Sequence, residues 1–343
     1  MTDIILHRCE ESKIVGIDFS KLYFALNPNY ISTLASHRNG SGYIAEIVGE
    51  TPAFMPILIA RKAFLKVATC LGPPVGHGGE ALEPEAERRI LNLLVGHIRA
   101  NRLADRISPP VNWCLFRSSP DNAISAPFGT YELDLRCSQD DLWRGLHQKN
   151  RNVIRAAERE GVSVTVGTSE VATFHRLYES TMTRNQMKAE PLDFFMDLAS
   201  QDGVSIYCAV AYAGEEALGA VFVPYSEFGS YYVYGATAAS MTVNGANNYL
   251  HYRMLSDLRE LGVRKHDFVG ARLSDVSGTK LEGIQKFKKR FGSTLKTGVI
   301  WKMDINKIKC LAFDRLLSIK LAVSGAKPTR DIIDQESDNV AGA

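Results

Sequence analysis

An α+β fold built as two halves of similar design is the architecture this chain predicts, on three observations. One order of elements, strand meander, loop, helix and strand, occurs twice at an offset of roughly 160 residues, an internal repeat of domain size. The length of 343 residues exceeds what a single hydrophobic core usually spans. Hydrophobic residues form 45% of the chain, enough for packed interiors, yet no apolar run approaches the roughly 18 residues that suggest a membrane span.

In the first half, residues 43–48, 55–61 and 64–69 read as strands. A Gly/Pro loop over 71–79 follows them, then a helix over about 84–101. In the second half, strands over 204–212, 217–224 and 230–234 precede a loop through Asn244 and Gly245. A helix over about 246–261 and a short strand over 266–268 complete the repeat. The start, Met1 to Arg8, lacks a basic region followed by a long apolar core, so no signal peptide is expected and the location expected is cytoplasmic.

Between the halves, residues 138–161 read as one linking helix. Ser138 with Asp141 three residues on is a capping signature, and Gly161 is suited to the C-terminal end. Leu142, Leu146, Asn150, Val153, Ile154 and Ala157 gather on one side. Arg144, Arg151, Arg155 and Arg159 line the other, with Lys149 nearby. Such a stripe is either a solvated face or a surface for phosphates.

Lys plus Arg total 40 against 38 for Asp plus Glu, so the net charge of +2 carries no global nucleic-acid signature. The six cysteines are scattered singly, without Cys-x-x-Cys or histidine at metal-ligand spacing, so no metal is expected. Toward the C-terminus, a helix beginning near Thr279 puts Leu281, Ile284, Phe287 and Phe291 on one face, with Lys280 and Lys288 among them. A lysine there either snorkels past the aromatics or lines a cleft beside the core. Residues 305–323 form a terminal helix with Ile308, Leu311, Leu316 and Leu317 as partial core positions, and a polar tail expected to fray begins at Ser324.

Four segments together resemble the Fem family of aminoacyl transferases, within the acyltransferase superfamily called GNAT. Tyr131 to Leu135 leads into Leu146 to Ala157, similar to a strand followed by His-x-Lys-x-Arg-x-x-Ile-Arg-x-Ala. Leu177 to Arg184 is similar to the family's Tyr-x-x-Thr-x-x-Arg helix, His266-Asp267-Phe268-Val269-Gly270 to its Tyr-Asp-Phe-x-Gly strand, and Phe287 to Gly292 to its Phe-Lys-x-x-Phe-Gly. Leu71-Gly72-Pro73 resembles its Gly-Pro turn, the first fifty residues match poorly, and the coiled-coil arm of some members is missing.

The resemblance implies two tandem GNAT-like domains, each a mixed twisted sheet flanked by helices, with a C-terminal helix added. The division expected is 1–137, the linking helix 138–161, 162–304, and a helix with flexible tail over 305–343. The implied reaction moves an aminoacyl group from aminoacyl-tRNA onto an amine of a peptidoglycan-type envelope precursor, without a cofactor. A membrane-bound precursor would make the protein peripheral at the inner membrane face. Lys288 would be the cation at the developing oxyanion or the terminal tRNA phosphate, and Asp267 either a proton acceptor or a structural partner. Arg184, Tyr232, Tyr234 and Phe287 would hold the acceptor, and Arg144, Lys149, Arg151, Arg155 and Arg159 the tRNA or another phosphate.

The alternative within enzymes is an acyl-CoA-dependent N-acyltransferase acting on an amino sugar of an exopolysaccharide; outside them it is a catalytically idle binding protein. The loop at 240–247 keeps one glycine and lacks the basic residue that leads a pyrophosphate cradle, and the loop at 71–79 has two prolines that remove N–H donors. Coenzyme A is therefore disfavoured.

Overall fold

The computed structural model describes residues 3–10, 17–240, 242–323 and 330–341; Met241 of the 240–247 loop and residues 324–329 of the tail lie outside them. The first half contains β1 (Asp3–Arg8), α1 (Pro28–His37), β2 (Gly40–Val48), β3 (Ala53–Lys62), β4 (Leu65–Cys70), β5 (Val75–Gly76), α2 (Pro84–Ala100) and β6 (Arg106–Ile107). Asn27 starts α1 by accepting from the N–H groups of Asn29 and Tyr30, with Pro28 in the first turn where its missing donor costs nothing.

The middle of the chain contains β7 (Ile124–Asp134), α3 (Gln139–Gly145), α4 (Gln148–Arg159), β8 (Val162–Val166), α5 (Val171–Arg184) and α6 (Leu192–Ser200). The second repeat follows as β9 (Ser205–Ala213), β10 (Glu216–Tyr225), β11 (Ser230–Tyr231), β12 (Tyr234–Thr237), α7 (Ala246–Glu260) and β13 (Lys265–Asp267). The chain closes with α8 (Lys280–Lys289), β14 (Thr294–Asp304), α9 (Lys307–Val323) and α10 (Ile332–Ala341).

The tandem design is visible in the pairing. An antiparallel meander is followed by a helix and a parallel strand in both halves: β2, β3 and β4, then α2 and β6 parallel to β4; β9, β10 and β11, then α7 and β13 parallel to β11. The two sheets are fused. β14 pairs with β7 over Thr294 to Lys302 and with β6 at Met303 and Asp304, making one 14-stranded sheet. β7 pairs with β13 as well, so it joins β14 to the second sheet.

A core shared by the halves joins Phe24, Tyr30 and Leu34 to Phe174, Phe194, Phe195 and Phe222. A second core lies under α7, and a third under α2.

The single linking helix of 138–161 is in fact two helices. Ser138 caps α3 by accepting from the Asp141 N–H, but the chain turns extended at Leu146 and His147, and the His147 ring caps α4 by accepting from the Lys149 N–H. The break is held from outside, because the His147 N–H donates to the Arg290 carbonyl at 2.9 Å. Leu142, Leu146, Asn150, Ile154 and Ala157 are buried across it, so the apolar side survives the kink.

Two expectations about the C-terminus fail. Ile308, Leu311, Leu316 and Leu317 are exposed rather than partly core, because α9 turns Cys310 and Phe313 toward β4 instead. The tail does not simply fray: α10 is tethered by Lys302 to Asp331 and Asp334 and by Arg272 to Glu336 at 2.7 Å, with Ile333 buried. No helix of the described residues is long and apolar enough to cross a membrane.

Candidate active site

The parallel pair β11–β13 is only two residues long, Ser230 opposite His266 and Tyr231 opposite Asp267. After it the strands part. The Tyr232 N–H donates to the Asp267 carbonyl at 2.8 Å, and then β12 stays with β10 while Phe268 and Ala271 bond to Tyr131 and Gly129 of β7. A wedge opens at Asp267.

Lys288, in the last turn of α8, reaches this apex. It is 6% exposed, and its Nζ donates to the carbonyls of Val269 and of Gly270, the latter at 2.7 Å. Those carbonyls face it because the backbone turns through positive φ at both residues, +47° at Val269 and +40° at Gly270. For a β-branched residue this is a strained conformation, of the kind held only where the surroundings over-determine it. Asp267 supplies part of that restraint: its Oδ1 accepts from the Val269 N–H at 2.7 Å and from the Thr130 hydroxyl.

Burial sets the charges. It pushes the Lys288 ammonium down from 10.5 to about 8, with the nearby Asp267 charge acting in the opposite direction. It raises the Asp267 carboxyl from 3.8 to about 6, against the two hydrogen bonds that favour the ionised form. A lysine and a carboxyl that both change charge near neutrality, at the apex of an opened sheet, make this the candidate functional site.

The first half contributes to the same place. Tyr23 and Tyr231 meet edge to face at 4.9 Å, and burial with the Asp267 charge nearby raises both phenols. Tyr23 and Trp113 both donate to the Leu71 carbonyl, at 3.3 and 3.0 Å, and Gly72 packs so closely on Tyr23 that a Cβ would stand 2.4 Å from the ring. The Gly-Pro turn of 71–73 thus braces the apex through Tyr23. Sequence reasoning missed Tyr23, Trp113, Thr130 and Val269 as site residues. The Leu71-Gly72-Pro73 motif pointed toward Tyr23 and Trp113, and the His266 to Gly270 motif contained Val269.

Other expected residues separate. Tyr232 and Tyr234 do not share a face, because strand pairing breaks between β11 and β12, where the Val233 N–H turns back to the Tyr231 carbonyl. Tyr232 packs on His251 at 4.8 Å under α7, whereas Tyr234 is buried on the opposite side against Phe195 at 5.1 Å. Phe287 packs on His251 and Phe291, both at 5.0 Å. Arg184 is exposed at the end of α5 and donates to the Thr237 carbonyl at 2.6 Å, where β12 ends; close by, Lys280 at the start of α8 donates to Asn185 at 2.7 Å.

The arginine stripe is broken with its helix. Arg144 pairs with Asp141 at 2.5 Å, Arg151 donates to the carbonyls of Arg144 and Leu146 at the end of α3, and Arg155 lies over the Trp143 ring at 5.2 Å. Lys149 and Arg159 remain exposed to solvent. At the start of α7, Gly245 takes φ +87°, and a Cβ there would stand 2.5 Å from the Val153 carbonyl. Helix packing by α4 therefore accounts for the single glycine of that loop. Asn150 of α4 also accepts from Asn248 of α7 at 2.7 Å.

Residues 146–289, from α4 through α8, match the family described as Acetyltransferase (GNAT) domain. The architecture is Fem-like: the chain is similar to the crystal structure of FemX at TM-score 0.60 and 15% identity, over 81% of this chain and 91% of that one. It is also similar to the C-terminal domain of a putative lysylphosphatidylglycerol synthetase from Agrobacterium fabrum, at TM-score 0.50 and 14% identity over 80% and 87%. A tandem GNAT protein from the clavulanic acid biosynthesis pathway superposes at TM-score 0.51 with 11% identity, over 89% and 99%. Comparison with curated protein sequences gives no match.

Proposed function

We propose that this protein transfers an aminoacyl group from aminoacyl-tRNA to an amine of a cell-envelope precursor, with no cofactor. The observation that carries the reading is the Lys288 ammonium, fixed by two backbone carbonyls at the apex of the wedge. The acceptor nitrogen attacks the ester carbonyl carbon, and the negative charge that develops on its oxygen faces Lys288. Collapse breaks the ester C–O bond; the ribose oxygen leaves with the proton that the amine loses, and an amide remains. The ester is already activated, so orientation, worth about 7 to 11 kcal/mol, and oxyanion stabilisation, about 2.7 to 4 kcal/mol per donor, are the main tasks.

Asp267 acts here as a positioning residue, because its carboxylate is occupied in holding Thr130 and the Val269 N–H. Arg184 and Lys280, at the end of β12, are the cations for an anionic acceptor. Arg184→Ala should raise KM for such an acceptor about tenfold or more, the effect of one lost charge-assisted hydrogen bond, with kcat nearly unchanged. A large fall in kcat at constant KM would contradict this role.

For tRNA, the free cations of α4 replace the broken stripe. Lys149→Glu with Arg159→Glu should weaken tRNA binding and flatten its salt dependence by a slope of about 2, while Arg144→Glu changes little. Unaltered binding by the double variant would remove α4 from the interface.

Against the acyl-CoA alternative, α4 packs on the start of α7 and the loop there carries no basic residue to lead the pyrophosphate. Purified protein offered charged tRNA or acyl-CoA with amine-bearing precursors and amino sugars, followed by mass spectrometry, tests the choice. An aminoacylated acceptor formed from charged tRNA supports the proposal. An acylated amino sugar formed from acyl-CoA alone would overturn it.

A further inference from the structure

Helix α9 is apolar on both sides, a property of helices that are covered on both sides. Its inner side is accounted for: Cys310 is buried with Leu65 and Val67 of β4, and Phe313 packs against them. Its outer side is bare. Ile308 is 83% exposed and Val323 85%, and Leu311, Leu316 and Ile319 are more than half exposed. At about 100° per residue, Ile308, Leu316, Ile319 and Val323 fall within a quarter-turn of one another, and Leu311 borders them. Phe64, at the β3–β4 turn, meets Phe313 of the inner side at 5.8 Å and is itself nearly half exposed. An exposed apolar face of this kind marks a contact with another protein or with lipid.

The charges around the patch decide between those two. Arg315 and Lys320 flank the bare face, and Lys307 starts it; all three are exposed. The one acidic residue of the helix, Asp314, is committed to Arg106 at 2.7 Å. At the N-terminal end of α9 a cavity of about 800 Å³ is lined by Lys66, Arg99, Arg102, Lys307 and Lys309. Its acid, Asp105, is taken up by Lys309 at 3.0 Å. Arg61 and Lys62 stand exposed beside Phe64. An apolar face rimmed by cations whose local acids are already paired is complementary to an anionic bilayer, with the side chains in the acyl boundary and the cations among headgroup phosphates. A second copy of the same face would bring Arg315 and Lys320 against like charges.

We propose that the outer face of α9 lies in the interface of an anionic lipid membrane and holds the protein there as a peripheral one. The proposal does not depend on which acyl donor the apex uses.

The full-length protein is sedimented with vesicles of phosphatidylcholine alone and of phosphatidylcholine mixed with phosphatidylserine. Binding to the mixed vesicles only, falling as salt is raised, is the expected result. Ile319→Glu should abolish it, and Arg315→Ala with Lys320→Ala should lower it about 25-fold, since each cation near an anionic surface contributes roughly a factor of five. All three positions are exposed, so circular dichroism melting of the variants should match the parent. Absence of binding, equal binding to both vesicle types, or variants that bind like the parent would overturn the proposal. So would light scattering that shows a dimer of the parent and a monomer of Ile319→Glu, since the face would then be a self-association surface.

Discussion

Replacing Lys288 with methionine lowers kcat by about 10²- to 10³-fold, the cost of losing one oxyanion-stabilising donor, while KM for both substrates stays near its original value. The expectation follows from burial. The side chain is buried with its ammonium on the Val269 and Gly270 carbonyls, so methionine fills a similar volume without the charge. The variant also relieves the cost of burying an ammonium and leaves the carbonyls of Val269 and Gly270 without a donor, two effects that oppose each other. Thermal melting should therefore change little. Steady-state kinetics separate the two parameters: a rise in KM with unchanged kcat would make Lys288 a binding residue, and full residual activity would remove it from the chemistry.

Asp267 gives the second large effect, and two substitutions divide it. Asp267→Ala leaves the Thr130 hydroxyl and the Val269 N–H buried without acceptors, a loss of about 2 to 6 kcal/mol at roughly 1 to 3 per group, and it frees the strained turn that faces Lys288. Stability and activity should fall together. Asp267→Asn retains an acceptor oxygen and removes only the charge. The folded carboxyl titrates near 6, above its ordinary 3.8, so the native state binds the proton more tightly. Asp267 therefore contributes a loss of stability as pH rises from about 4 to 6, on the order of 3 kcal/mol. The asparagine variant lacks that contribution, so in urea unfolding across this range the parent's stability should fall relative to the variant's by about that amount, the other titrating groups being common to both. A parent-to-variant difference that stays constant with pH would mean that the carboxyl is not buried as the geometry places it.

Much of the fold was legible because its signals are local. The two meanders, the glycine loops and the helices at 84–100 and 246–260 follow from alternation, turn residues and apolar spacing. The fused sheet was not legible, because the pairing of β14 with both β6 and β7 joins residues far apart in the chain. The break at Leu146 and His147 escaped for a similar reason: the Arg290 carbonyl that holds it lies 143 positions beyond His147. For the site, the lysine among the apolar positions of α8 was the one signal strong enough to read. Leu281 and Ile284 of that face are more than a third exposed, so amphipathic spacing overstated the burial of the helix. Tyr232 and Tyr234 show the limit of alternation, which holds only while a strand keeps its pairing.

The central claim, that a protonated Lys288 at the apex assists attack by a neutral amine, is tested most directly by the pH dependence of single-turnover transfer. An acceptor amine alone makes the rate climb up to tenfold per pH unit until the amine is fully deprotonated. Lys288 begins to lose its proton near 8, so the account predicts a break near pH 8, above which the climb is cancelled. In Asp267→Asn, where the carboxylate no longer favours the ammonium, that break should move to lower pH. An unbroken climb through pH 9 in the parent, or a break unmoved in the variant, would contradict it.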